Sequence, residues 1–128
     1  MTDRREDTNQ IFDLLSIYFD ALYEADASKL ATVLRTDGIY VSTTNGDYLN
    51  RTIPDYLAVV TGREPPKARG EQRDERVTTI EFGGPNMAFV RLNMSMMGRR
   101  YTDFLTLYKE DGVWKIMAKI FSYNPEVA

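Results

Sequence analysis

Residues 103–119 read DFLTLYKEDGVWKIMAK, and this stretch decides the fold. Asp111-Gly112 is a two-residue hairpin signal, because both positions tolerate the positive φ that a type I′ turn needs. Apolar and polar residues alternate on either side of it, so two long antiparallel strands are predicted. A two-residue turn sets the register: Leu107 faces Ile116, Leu105 faces Ala118, Asp103 faces Ile120 and Tyr101 faces Ser122. Gly98-Arg99 predicts a second hairpin one strand earlier, with Leu105 opposite Leu92, Asp103 opposite Met94 and Tyr101 opposite Met96. Both hairpins agree on one apolar face: Val90, Leu92, Met94, Met96, Tyr101, Asp103, Leu105, Leu107, Trp114, Ile116, Ala118, Ile120 and Ser122. A slip of one residue would invert that face, so the agreement is a consistency test.

Working outward, four strands are predicted over 73–82, 87–97, 100–110 and 113–123, with the register of the first left open. The N-terminal half reads differently. Asp7 and Thr8 are cap residues for a helix from about Asn9 to Ala25, and residues 1–7 read as a charged tail. Ile11, Leu14, Leu15, Tyr18 and Leu22 recur at three- and four-residue spacing, the stripe of an amphipathic helix. Asp26 caps a short second helix with Leu30, Val33 and Leu34 inward. Asp37-Gly38 breaks it before a strand over 39–43. Asn45-Gly46 is a turn, and 48–50 a short return strand. Thr52 starts a third helix with Pro54 in its first turn, Tyr56, Leu57 and Val60 inward, and Gly62 at its end. Residues 63–70 read as an exposed loop. Helices first and antiparallel strands afterwards define an α+β domain spanning 1–128.

Composition removes whole classes of chemistry. The 128 residues include no histidine and no cysteine. Disulfides, thiolate nucleophiles, imidazole bases and Cys/His zinc sites are therefore excluded. No cofactor and no metal are expected. A formal net charge of -3 argues against nucleic-acid binding. There is no apolar run long enough for a membrane span and no signal-peptide pattern at Met1–Asp7, so a cytoplasmic location is expected.

Asp103 is the anomaly on the apolar face. A carboxylate among apolar neighbours must be paired, hydrogen-bonded or protonated. It is either a pocket carboxylate able to act as acid, base or hydrogen-bond donor, or a structural Asp held by a tyrosine or a backbone amide, or one at a wet sheet end. The opposite face carries Phe89, Phe104, Met117 and Phe121 between charged stems, with Lys119 among them. It is too aromatic for a solvated surface, and a homodimer packed through it is expected.

The order of elements resembles the cone-shaped fold of the nuclear transport factor two-like superfamily over nearly the whole chain. The resemblance rests on the long helix closing at Ala25-Asp26, the short helix, Asp37-Gly38 before a strand, and the tail from Asp103 to Lys119. That tail is most similar to the branch called "putative lumazine-binding", close to SnoaL-like polyketide cyclases. The resemblance implies about three N-terminal helices on the concave face of a curved, mostly antiparallel sheet. Ketosteroid isomerases share that fold and use a helix-one tyrosine, a protonated strand Asp and an Asp base. By spacing, the tyrosine falls on Tyr18 and the acid on Asp103, but the base position falls on Ser42. A serine hydroxyl cannot replace a carboxylate base, so that isomerisation is disfavoured.

The expected site is an apolar pocket centred on Asp103 and lined by Tyr18, Leu22, Tyr56, Met94, Met96, Tyr101 and Ile120. The first function expected is binding of a small apolar or aromatic molecule. The alternatives are an acid–base cyclase, isomerase or lyase acting on a planar polyketide-like or steroid-like substrate, with Asp103 and Tyr18 as catalysts, or a non-catalytic dimeric interaction domain.

Overall fold

The computed structural model describes residues 4–125. Helix α1 covers Arg4–Glu24 and α2 Ala27–Ala31; strands β1 (Leu34–Thr44) and β2 (Asp47–Thr52) follow, then α3 (Ile53–Thr61), a 3-10 turn (Pro66–Arg69), and strands β3 (Arg76–Phe82), β4 (Met87–Met96), β5 (Arg99–Glu110) and β6 (Val113–Pro125). The strands form one six-stranded sheet in the order β2-β1-β6-β5-β4-β3. All neighbours are antiparallel except β1 and β6, which run parallel. The helices cover one face of this curved, open sheet, the α+β arrangement that the sequence pattern implies and the cone that the family resemblance implies.

The helices form for the expected local reasons. Ile11, Leu14, Leu15, Tyr18, Ala21 and Leu22 are the buried stripe of α1. Full burial of each large member contributes about 1.5–3 kcal/mol. Asp26 caps α2 by accepting a hydrogen bond from the Lys29 N–H at 3.0 Å. Thr52 caps α3 by accepting from the Asp55 N–H at 3.2 Å, and Gly62 ends the helix. The first helix begins earlier than its cap residues indicate. Asp7 is not a cap: it is buried in the first turns and accepts from Trp114 Nε1 at 3.1 Å, Lys109 Nζ at 3.0 Å and Arg4 Nη1 at 3.1 Å. Those tertiary bonds hold 4–7 in the helix rather than in a tail; the rest of the expected tail, 1–3, lies outside the described residues.

Three strand expectations need correction. Leu34 opens β1 opposite Ile116 instead of closing α2. β3 starts at Arg76, because Arg73 is drawn to Asp20 and Glu75 while Asp74 accepts from the Ser95 N–H; Val77 lies opposite Leu92 and Ile80 opposite Val90. The β4–β5 turn is Met97-Gly98, both at positive φ (55° and 72°), not Gly98-Arg99. Asp103 therefore lies opposite Leu92, and Tyr101 opposite Met94. A shift of one turn position moves each partner by two, so the face of every side chain on β4 and β5 is kept.

The larger correction is on β6. The Asp111-Gly112 turn and the Leu107–Ile116 pair stand as expected, but the ladder then slips by one residue between Leu107 and Thr106. Beyond this bulge Leu105 faces Lys119, Asp103 faces Phe121 and Tyr101 faces Tyr123. Lys119 and Phe121 turn inward and are buried, while Ile120 turns out. Neighbouring β1 is irregular at the same place, between Leu34 and Ile39. Gly38 sits against the bulge: a Cβ there would lie 2.5 Å from Met117 O, closer than atoms tolerate. Glycine lets the two irregular strands approach.

Candidate functional site

The site lies where α1, α3, β1, β4, β5 and β6 converge. Asp103 is 1% exposed. The Tyr18 hydroxyl, carried on the buried stripe of α1, donates to Asp103 Oδ2 at 2.9 Å. The bulged β6 brings Lys119 Nζ to 3.9 Å from the same oxygen. Lys119 also donates to the Tyr56 hydroxyl at 3.2 Å. Its ammonium lies 5.1–5.6 Å from the ring centroids of Tyr18, Tyr40, Tyr56 and Phe121. Four aromatic faces of this kind stabilise a desolvated cation through their quadrupoles. Tyr40 and Tyr56 stack on one another with centroids 4.0 Å apart, which fixes that wall.

Burial pushes the Asp103 carboxyl above its ordinary value, against the opposing pull of Lys119 and the Tyr18 hydrogen bond. Burial and the Asp103 charge push the Tyr18 phenol well up. Burial raises Tyr40 and Tyr56 as well. These phenols therefore act as neutral hydrogen-bonding groups at physiological pH. Asp103 Oδ1 is buried and has no hydrogen-bond partner among the described residues. An acceptor left so is expensive and marks a place where another donor belongs.

A cavity of about 20 Å³ adjoins this centre, lined by Leu22, Tyr56, Met94, Met96, Tyr101 and Asp103, and also by Tyr40, Arg63, Lys119 and Phe121. That is room for about one water molecule. Met96 also lines a much larger outer cleft of about 460 Å³, bounded by Arg69, Glu71, Gln72, Asp74, Ser95 and Gly98. Another surface cleft of about 460 Å³ lies beside Arg35 and Glu110, and an apolar groove of about 350 Å³ beside α1 and Trp114. Among the described residues, neither of these two carries a buried, unpartnered polar atom. Among the described residues no group of three or more His, Cys, Asp or Glu side chains could hold a metal ion.

The structure brings together Tyr18, Leu22, Tyr56, Met94, Met96, Tyr101 and Asp103, with Tyr18 behind the cavity as the hydrogen-bond partner of Asp103. It does not bring Ile120, which is 38% exposed on the outer face. The reason is the bulge, which also moves Phe121 off the expected outer surface and Lys119 into the core. Lys119, Tyr40, Phe121 and Arg63 are the members that sequence reasoning missed. Gly38 beside a strand is the one local signal of the close approach that accompanies the bulge. Ser42, at the position of the isomerase base, is buried with its hydroxyl 3.1 Å from Thr44 Oγ1.

The cone, its helix order and its single parallel strand pair define the NTF2-like class of α+β proteins. An NTF2-like protein of unknown function from Silicibacter pomeroyi superposes with a TM-score of 0.85 at 18% identity, covering 96% of this chain and 100% of that one. One from Shewanella baltica gives 0.85 at 20% identity, covering 98% and 100%. A ketosteroid isomerase-like protein from Erwinia carotovora atroseptica gives 0.70 at 15% identity, covering 93% and 97%. Within that class, the model of the family described as "Putative lumazine-binding" matches residues 6–122, and the chain belongs to this family. No curated protein matches it. Among the described residues no helix is long and apolar enough to cross a membrane.

Proposed function

We propose that this domain binds a small planar molecule that donates a hydrogen bond to Asp103 Oδ1 and slides between Tyr40, Tyr56, Met94 and Met96. The unpartnered buried carboxylate oxygen carries this reading, because it needs a donor the fold does not supply. Ligand sites are largely apolar with a few converging polar groups, and this centre has that composition. Met96 is the movable wall: an unbranched thioether changes rotamer cheaply, and its rotation would join the inner cavity to the 460 Å³ cleft outside. The family's lumazine label is consistent with a flat ring bearing N–H and carbonyl groups. Binding is favoured over acid–base turnover of a polyketide-like or steroid-like substrate. The Tyr18 proton is already used on Asp103 Oδ2, and Ser42 offers no base.

The outer sheet face is the second element of the proposal. Phe89 and Phe104 stack edge to face at 5.3 Å, and Ile120 is exposed on the same face. It fits a second copy of the chain, with Ile120 taking the place first given to Phe121.

The binding reading is tested with methyl-labelled methionine and NMR, titrating lumazine and 4-hydroxybenzoate separately. Saturable shifts at Met94 and Met96, abolished in Asp103→Leu, are expected for at least one probe. Shifts confined to other methionines, or none at millimolar probe, would sink it.

A further inference from the structure

The charges around the cavity do not balance. Asp103 and Lys119 offset one another at 3.9 Å. Arg63, which follows α3 and lines the same cavity, is a second cation. It is half-buried, and among the described residues its guanidinium makes no hydrogen bond and no ion pair. The carboxylate next to it in sequence, Glu64, is turned to Arg69 instead, with Arg69 Nε 3.4 Å from Glu64 Oε1. Arg73, Arg100 and Arg35, by contrast, all have carboxylate partners at 2.6–2.9 Å. A half-buried guanidinium without a counter-ion gives up hydration for nothing in return.

We propose that the ligand of this site is an anion, a planar hydroxy-carboxylate whose carboxylate is held by Arg63 and whose hydroxyl donates to Asp103 Oδ1. This rests on the binding reading above and adds the ligand's charge and orientation to it. Arg presents a planar fork that matches a carboxylate bidentately. The reverse orientation is disfavoured, since it would press the ligand carboxylate against the Asp103 carboxylate. A hydroxyl at that end instead supplies the one donor the buried oxygen lacks. Arg63 and Asp103, which both line the cavity, therefore discriminate by attraction and by repulsion respectively. The inner cavity as it stands holds about one water molecule, so a flat ring enters only with Met96 rotated towards the larger cleft.

The test compares 4-hydroxybenzoate with 4-hydroxybenzamide, which keeps the ring and hydroxyl but removes the charge. Affinities are read from the Met94 and Met96 methyl shifts of the wild-type, Arg63→Gln and Arg63→Lys proteins, with a thermal melt to check folding. The anion should bind at least about tenfold more tightly than the amide to wild type, as a charge-assisted contact implies. Arg63→Gln should reduce the preference below about threefold, and Arg63→Lys should restore part of it. Equal binding of acid and amide by wild type overturns the anion assignment and leaves the binding reading intact. So does a preference that survives in Arg63→Gln. Binding of neither molecule overturns this proposal, and if lumazine also fails, the binding reading falls with it.

Discussion

Replacing Lys119 by Met probes the buried pair directly. Methionine keeps the stem among the four rings and removes only the charge. Two unit charges 3.9 Å apart attract by about 4 kcal/mol at an effective dielectric of about 20. Removing one member of a buried pair costs about 3–5 kcal/mol, because the other charge stays behind. Asp103 can escape that cost by taking up a proton. Burial already raises its carboxyl, and Lys119 is one of the two groups opposing the rise. Without Lys119 the folded-state value climbs further above the unfolded value of 3.8. A raised carboxyl leaves stability intact below the unfolded value and lowers it as pH rises towards and through the folded value. Lys119→Met should therefore be destabilised by about 3 kcal/mol at pH 8, and by less than half of that at pH 5. Urea denaturation at both pH values measures this. Adding Asp103→Asn to the variant should recover most of the loss at pH 8. A loss under about 1 kcal/mol at pH 8, or equal losses at both pH values, would refute the coupling.

Three further outcomes follow from the sheet. Gly38→Ala places a methyl 2.5 Å from Met117 O, with backbone rather than a flexible side chain in the way. A loss of about 2–3 kcal/mol in urea is expected, and a change within about 0.5 kcal/mol would mean that the bulge accommodates a side chain. If the outer face pairs two copies, Phe104→Glu should sediment as a folded monomer while wild type sediments as a dimer. Phe121→Glu should instead unfold, because its ring is buried against Tyr40 and Tyr101. An unchanged sedimentation profile for Phe104→Glu counts against the dimer.

Much of the fold is legible because its signals are local. The stripe of α1, the Asp26 and Thr52 caps and the Asp111-Gly112 turn each depend on residues within one or two turns of chain. The Gly98-Arg99 signal lies one residue from the actual β4–β5 turn without harm, since moving the turn shifts both partners together and preserves which side chains face inward. Asp103 stood out for the same reason: on β5 its face depends only on alternation. What could not be read locally is the bulge in β6. It depends on β1 approaching through Gly38, a contact between residues about eighty positions apart in sequence. Asp7 failed similarly. Its capping signal is genuine, but two distant donors, Lys109 and Trp114, together with the nearby Arg4, hold the carboxylate instead.

That single inserted residue changes the chemistry of the site as well as its register. With unbroken alternation, Ala118 and Ile120 would wall Asp103, and the carboxyl would simply be protonated in an apolar pocket. The bulge instead supplies an ammonium at 3.9 Å and four rings around it. A chain without histidine thus obtains its cationic partner from lysine. Such a pair is poor as a device for stability, since apolar residues of equal volume often do as well or better. One carboxylate oxygen is also left without a donor, which adds to the cost. An arrangement that costs stability on both counts is better explained by what it recognises than by what it holds together. On the proposed reading, the direction of recognition follows from two groups that line the same cavity, the acceptor at Asp103 and the cation at Arg63.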